Sequence, residues 1–176
     1  MNSIKTRSIV ISGINIALVF VSCYFIQFHL PFSLNSGGLV HLGNITLFTI
    51  AMVYGKKQGA IAGAFGMGLF DIMAGWQVWA PCTFVVRGIM GWLIGTLYDN
   101  KKENKVIFYL MLIIIPSIEM LAGYFIYNVA MYGNYIAALS SIPGDLTQLA
   151  IGYVVAIPVA NKLSKLKIFK RGNNEN

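Results

Sequence analysis

Long apolar runs separated by short polar junctions dominate this chain. Six of them have the continuous apolar character of membrane helices and do not alternate as the strands of a membrane barrel would. They cover residues 8–28, 42–54, 59–74, 81–98, 106–127 and 143–163. The second run is short, since a crossing helix needs about 20 residues. The pattern predicts an all-α integral membrane bundle of six transmembrane helices in one domain, residues 1–176.

Stripes of small residues at helical spacing mark the third and fourth predicted helices. They are Gly59, Gly63 and Gly66 in one helix, and Gly88, Gly91 and Gly95 in the next. Small residues let helices approach closely in lipid, where association depends on packing. The two helices are therefore predicted to pack together at the centre of the bundle, surrounded by the other four.

The distribution of charged residues predicts how the bundle is oriented in the membrane. The chain is 57% hydrophobic and only 11% charged, whereas a soluble domain carries about 25% charged residues. Its net charge is +7, but twelve of the thirteen Lys and Arg lie in the N-terminal segment, two polar junctions and the C-terminal tail. Basic residues mark the cytoplasmic side of a membrane protein. Six spans then place both termini in the cytoplasm, and the positive charge needs no nucleic-acid partner.

Several kinds of chemistry have no motif in the sequence. It contains no glycine-rich phosphate-binding loop with lysine, no His-Glu-x-x-His zinc motif and no cysteine–histidine cluster. Cys23 and Cys82 lie in or beside apolar segments, as packing cysteines do. Neither an enzyme nor a metal site is predicted.

Charged residues within apolar segments are costly and point to function. The acids Asp71, Glu119 and Asp145 and the base Arg87 all fall in the outer half of the predicted bundle. Other polar and aromatic residues join them there, namely His41, Asn44, Trp76, Trp79, Thr83, Tyr124, Asn128, Tyr132 and Gln148. A few polar groups among aromatic walls predict an outward-facing pocket that orients a small planar molecule.

Structural roles remain open for these residues. Asp71 and Arg87 are also compatible with an ion pair between the third and fourth helices. Asp145 is compatible with charge-matching at the start of the sixth helix, where the helix dipole favours an anion. His41 is compatible with an ordinary loop histidine. Glu119 has no obvious local partner, which favours a ligand role.

The first helix carries small residues near one face, Ser12, Gly13 and Ala17. Such a stripe fits a close helix–helix contact. It predicts either packing within the bundle or a docking surface for another subunit.

Four segments carry a resemblance to known proteins. They are GGLVHLGN at 37–44, GAIAGAFGMGLFDIMAGW at 59–76, WAPCTFVVRGIMGWLIG at 79–95 and PGDLTQLAIGYVVAIPV at 143–159. Together they resemble the substrate-binding S-components of energy-coupling factor (ECF) vitamin transporters across nearly the whole chain. They look most like the subgroup for hydroxymethylpyrimidine, a thiamine precursor, or pyridoxine.

This resemblance implies a function without catalysis. The chain is expected to capture a vitamin on the outer side of a bacterial plasma membrane and to dock on a membrane coupling (T) subunit with two ATPase subunits. Those partners use ATP, so no cofactor is expected here. The family docks through Ala-x-x-x-Ala on the first helix, which reads Gly13 to Ala17 here, with Asn15 as a polar departure. A stand-alone secondary transporter for a small polar metabolite is the alternative.

Overall fold

Apolar helices and one short β-hairpin make up the structure, a computed structural model that describes residues 3–25, 27–29, 39–101 and 103–166. The elements are α1 (Ser3–Phe25), β1 (Gln27–His29), β2 (Leu39–His41), α2 (Gly43–Tyr54), α3 (Lys56–Ile61), a π-helical segment (Ala62–Met67), α4 (Gly68–Met73), α5 (Ala80–Asp99), α6 (Lys105–Tyr132), α7 (Tyr135–Leu139) and α8 (Ile142–Leu163). We refer to α3, the π-helical segment and α4 together as the broken helix. Each of the six predicted runs forms helix, but the end of the first was predicted wrongly. Helix α1 stops at Phe25, and Gln27 and Phe28, which were expected in the helix, belong to β1 because they pair with the strand before α2.

Four helices in the described part of the chain are long and apolar enough to cross a membrane: α1, α5, α6 and α8. This result confirms an all-helical membrane protein apart from the hairpin. The remaining two runs form α2, which has only 12 residues, and the broken helix.

The end of α6 differs from the prediction. The helix was expected to stop near residue 127, but it continues to Tyr132 because Val129, Ala130 and Met131 resume the apolar run after Asn128. Gly133 ends it in a left-handed conformation with φ 61°, which glycine adopts without steric cost. Asn128 therefore lies inside α6 and not at the start of an outer loop.

The broken helix and α5 pack backbone against backbone, as their glycine stripes predicted. A Cβ atom on Gly91 would overlap the backbone of Gly59 and Ala60. A Cβ atom on Gly63 would overlap the carbonyl of Arg87. These contacts fix α5 at the centre of the bundle, and so they fix the height at which the Arg87 side chain leaves its helix.

A β-hairpin links α1 to α2. Its two strands are antiparallel, with Gln27 opposite His41, so the end of α1 lies beside the start of α2. The junction between the first two predicted helices, which the six-span topology places on the outer side, includes residues 30–38. These residues lie outside the described part of the chain, as does the basic tail from residue 167 onwards.

Candidate functional site

Arg87 is the centre of a polar cluster inside the bundle. Its side chain is only 4% exposed. It donates from Nη1 to Asn44 Oδ1 at 2.9 Å, from Nη2 to Gln148 Oε1 at 3.2 Å and from Nε to the Tyr124 hydroxyl at 3.2 Å. The partners belong to α2, α8 and α6, so one side chain of α5 joins four helices.

Sulfur and aromatic groups complete the surroundings of the guanidinium. Met120 Sδ lies 3.1 Å from Nη1 and Met90 Sδ lies 3.7 Å from it. The Tyr124 ring centroid is 5.2 Å from Arg87 Cζ, within the range of a cation–π contact. Thr83, one turn before Arg87 on α5, has its hydroxyl 3.0 Å from that of Tyr124. Helical spacing on α5 and α6 thus places these groups in one column.

The expected alternative of an Asp71–Arg87 ion pair is not observed. Within the described part of the chain, the Arg87 guanidinium donates only to neutral oxygen and sulfur atoms. Asp71, Glu119 and Asp145 act on Arg87 or respond to it only at longer electrostatic range. The reason is geometric. The Arg87 side chain turns inward to the amides of α2 and α8, while Asp71 is hydrogen-bonded to Thr83 and Asp145 to Ser141.

Three side-chain polar atoms are buried without a hydrogen-bond partner among the described residues: Asn44 Nδ2, Glu119 Oε2 and the Tyr153 hydroxyl. Asn44 and Glu119 supply a donor and an acceptor as a pair. Buried polar atoms in native proteins nearly always have a partner. Such a pair of atoms is suited to binding a small polar molecule.

His41 lies at the end of the hairpin, above the start of α2. Its Nδ1 accepts a hydrogen bond from the Gly43 backbone N–H at 3.2 Å, and its ring packs edge-on against Phe70 at 5.5 Å. Burial, followed by the positive charge of Arg87, lowers the pKa of His41 to about 3. The ring is therefore neutral at physiological pH and is available as a hydrogen-bonding group, not as a cation.

Aromatic residues lie at the end of α5 nearest the polar cluster. The Trp79 ring is 5.5 Å from that of Tyr127 and 5.9 Å from that of Tyr132. Trp76 is half-buried and packs against the apolar core. Trp79 precedes Thr83 by one helical turn, so it is the tryptophan nearer to the cluster along α5.

Two further predicted residues lie at the start of α8. Asn128 is buried in α6, and its Nδ2 is 3.4 Å from the hydroxyl of Ser141, the N-cap of α8. Asp145 lies in the first turn of α8, where the helix dipole favours a carboxylate. The structure thus favours a role for Asn128 in holding α6 to α8, and it leaves both readings of Asp145 open.

The structure brings Asn44, Thr83, Arg87 and Gln148 into direct or shared contact. Their role in one ligand pocket stays a prediction. The sequence analysis did not single out Met90 and Met120, whose sulfur atoms accept from Arg87. Their spacing gave a weak signal, since Met90 follows Arg87 by one turn and Met120 precedes Tyr124 by one turn. Methionine in an apolar helix is otherwise indistinguishable from core packing.

The small residues of α1 divide between two faces. Ser12 Oγ and Asn15 Nδ2 both donate to Gln58 Oε1, at 3.1 and 3.2 Å. Asn15 is 2% exposed, so the polar departure faces into the bundle. Gly13 and Ala17 are exposed, and a Cβ atom on Gly13 would meet no described atom within 4 Å. Of the three predicted docking residues, Ser12 therefore contributes to an internal contact.

Helices that are apolar enough to cross a membrane enclose the Arg87 cluster. This arrangement defines a multi-pass membrane protein with an internal polar site. Comparison with known proteins then gives its family. The model of the family described as "ECF-type riboflavin transporter, S component" matches residues 3–165, and this chain belongs to that family. The predicted S-component resemblance is confirmed, as is the prediction that the chain is a transporter component and not an enzyme.

Two curated relatives extend the comparison. The chain is 29% identical over 156 residues to the thiamine precursor transporter HmpT of Lactococcus lactis subsp. cremoris (strain MG1363), which covers 89% of this chain and 87% of the relative. It is 27% identical over 120 residues to an uncharacterized protein of Pyrococcus woesei, covering 68% of this chain and 78% of that relative.

Proposed function

We propose that this chain is the substrate-capture subunit of an ATP-driven ECF-type importer of a small heterocyclic vitamin or vitamin precursor. The observation that carries the proposal is the buried Arg87 cluster, where α2, α6 and α8 direct neutral polar groups onto the guanidinium of α5. Charged side chains within a membrane are energetically costly, so their presence there indicates a function. Hydroxymethylpyrimidine and pyridoxine are the proposed ligands, and the relative's name as a thiamine precursor transporter favours the first.

In this proposal the pocket opens outward and both termini are cytoplasmic. The six crossings are α1, α2, the broken helix, α5, α6 and α8. Asn44 is near the start of α2, Arg87 is in the first half of α5, and Gln148 is in the first half of α8. If the basic junctions are cytoplasmic, α5 and α8 begin at the outer face, while α2 begins there because it follows the outer loop. All three residues then belong to the outer half.

The proposed partners follow from the family. S components of ECF transporters work with a T subunit and ATPase subunits, and this chain is proposed to dock on the T subunit in a bacterial plasma membrane. The open face of α1 around Gly13 and Ala17 is the proposed contact, since small residues permit close helix approach in lipid. ATP is then hydrolysed by the partners, and this chain needs no cofactor.

Purified protein is expected to bind hydroxymethylpyrimidine or pyridoxine with quenching of tryptophan fluorescence. A planar heterocycle in the pocket would lie near the aromatic group around Trp79. Titration of wild-type protein and of a Trp79→Phe variant checks this result, because the variant should retain binding by calorimetry and lose most of the quenching. Folded protein that binds no heterocycle in either measurement would contradict the proposed function.

The alternative function, a stand-alone secondary transporter, is tested by measuring ligand uptake into vesicles. Vesicles that contain this chain alone are expected to bind the ligand without accumulating it, and uptake should require the T subunit, the ATPase subunits and ATP. Ligand accumulation by the isolated chain without ATP would favour the secondary transporter instead.

Replacing Gly13 with leucine is expected to impair assembly with the T subunit while ligand affinity stays within about twofold of wild type. The new side chain has open space around it in this chain, so it changes only the surface offered to a partner. Co-purification with the T subunit and ligand titration measure the two effects separately. Val154→Leu, on the exposed surface of α8, is the control for added bulk. Unchanged complex formation in Gly13→Leu would remove this face of α1 from the docking proposal.

A further inference from the structure

Arg87 fixes which way two amide side chains point. A guanidinium has only donors, whereas an amide has an acceptor oxygen on one side and a donor nitrogen on the other. Asn44 Oδ1 accepts from Nη1 at 2.9 Å, and Gln148 Oε1 accepts from Nη2 at 3.2 Å. Only the oxygens of these amides satisfy the guanidinium, so the amide nitrogen of Asn44 faces away from Arg87.

The amide nitrogen that is turned away has no partner in the described chain. Asn44 is 1% exposed, and its Nδ2 is a buried donor without a hydrogen bond. The amide is held by the 2.9 Å hydrogen bond from Arg87 to its oxygen, and α8 packs against the base of the side chain, since a Cβ atom on Gly152 would lie 3.0 Å from Asn44 Cβ. The fold therefore holds one N–H donor in a fixed direction inside the bundle.

Glu119 supplies a buried hydrogen-bond acceptor on α6, the helix that also carries the Arg87 partners Met120 and Tyr124. Glu119 Oε2 is a buried carboxylate oxygen without a hydrogen-bond partner among the described residues. Glu119 precedes Met120, whose sulfur atom lies 3.1 Å from Arg87 Nη1, and its carboxylate is within electrostatic range of Arg87. Donor and acceptor come from α2 and α6, two helices that the Arg87 side chain joins.

We propose that Asn44 and Glu119 determine specificity by reading opposite hydrogen-bond polarity on one bound heterocycle. Asn44 donates to a ring nitrogen, and Glu119 accepts from an exocyclic amino group. Arg87 is a positioning residue that acts through the Asn44 amide. The proposal rests on the proposed function and narrows its ligand to an amino-substituted nitrogen heterocycle, in which a ring lone pair stands beside an amine.

The test compares two ligands of nearly the same shape, hydroxymethylpyrimidine with its amino group and the deaminated oxo analogue. In the oxo analogue the ring nitrogen carries a proton and the neighbouring oxygen accepts, so both polarities are reversed. Wild type is expected to prefer the amino form by about a hundredfold, since each mismatched buried hydrogen bond lowers affinity by about tenfold. Calorimetric titration with each ligand gives the ratio of the two affinities.

Isosteric exchange of the two side chains should reverse this preference. Asn44→Asp replaces the donor by an acceptor while keeping an oxygen for Arg87, and Glu119→Gln makes a donor available. Each single variant is expected to bring the affinity ratio to within about tenfold of unity, and the double variant to favour the oxo form. Gln77→Glu, an exposed isosteric change in the turn before α5, should leave the ratio unchanged.

Arg87→Lys tests the positioning role, because a single ammonium group cannot hold the amide oxygens of Asn44 and Gln148 in the same fork. We expect its affinity ratio to fall by at least about tenfold, whereas a merely structural role would lower both affinities equally. A wild-type preference for the oxo form, or an unchanged ratio in folded single variants, would overturn the inference while the proposed function stands. If the variants do not fold, the wild-type ratio decides. Folded wild type that binds pyridoxine but neither pyrimidine overturns the inference alone, and folded wild type that binds none of the three overturns both.

Discussion

Replacing Arg87 with methionine is expected to weaken ligand binding by about a hundredfold or more in a protein that still folds. The guanidinium holds the amides of Asn44 and Gln148 by their oxygen atoms. Without it, both amides can rotate, and the bound molecule loses two oriented hydrogen-bonding groups at about tenfold each. Ligand titration by calorimetry measures the loss.

The same substitution should have a small effect on stability. A buried cation carries a large desolvation cost in a membrane bundle, and methionine has a similar length and fits among Met90 and Met120. Removing the desolvation penalty of the cation stabilises the folded state. This gain offsets the loss of the hydrogen bonds to the two amide oxygens. The unfolding temperature in detergent is expected to change by no more than about 5 °C, which corresponds to about 2 kcal/mol for a protein of this size.

Arg7→Met is the matched control for Arg87→Met, since Arg7 is exposed near the start of α1. It removes the same charge without touching the cluster, so affinity and unfolding temperature should both stay near the wild-type values. Wild-type affinity in Arg87→Met would show that the cluster has no part in binding. Loss of folded protein would instead show that it is needed to assemble the four helices.

The positions of the helices could be predicted because lipid imposes a simple rule on sequence. Apolar runs of suitable length must satisfy their backbone hydrogen bonds internally, so they become helices. The glycine stripes on either side of the Gly59–Gly91 contact predicted a close pair for the same reason. The π-helical segment Ala62–Met67 could not be predicted, because its extra residue per turn depends on how α5 and α1 pack against it.

The composition of the site could be predicted better than its contacts. Polar residues within apolar helices are energetically costly and therefore indicate a function. On this ground Arg87, Asn44 and Gln148 could be selected from the sequence. The sequence left an ion pair between Asp71 and Arg87 open as an alternative, on charge alone. The observed partners are neutral because the guanidinium reaches α2 and α8, and a one-dimensional pattern does not specify which of several polar side chains lies within that reach.

Replacing Gly91 with alanine is expected to destabilise the bundle by about 3 kcal/mol, although it adds a single methyl group to α5. The new Cβ atom would overlap the carbonyl and amide backbone of Gly59 and Ala60 in α3. Backbone atoms cannot rotate away as a side chain can, so the two helices must separate. Separation lengthens every neighbouring contact, including that between Gly63 and the Arg87 carbonyl. The unfolding temperature and the yield of monodisperse protein in detergent measure this cost.

Gly88→Ala, one turn earlier on α5, is the matched control because it makes the same chemical change on the same helix. Its Cβ atom would lie 3.3 Å from Ala64 Cβ and 3.7 Å from the Ala60 carbonyl, so a shift of a few tenths of an ångström accommodates it. Alanine also favours the helix over glycine by about 1 kcal/mol, which leaves Gly88→Ala within about 1 kcal/mol of wild type. Equal stability of the two variants would mean that the α3–α5 backbone contact does not hold the bundle together. A large loss in Gly91→Ala alone would establish that contact as the support on which the height of Arg87, and hence the binding site, depends.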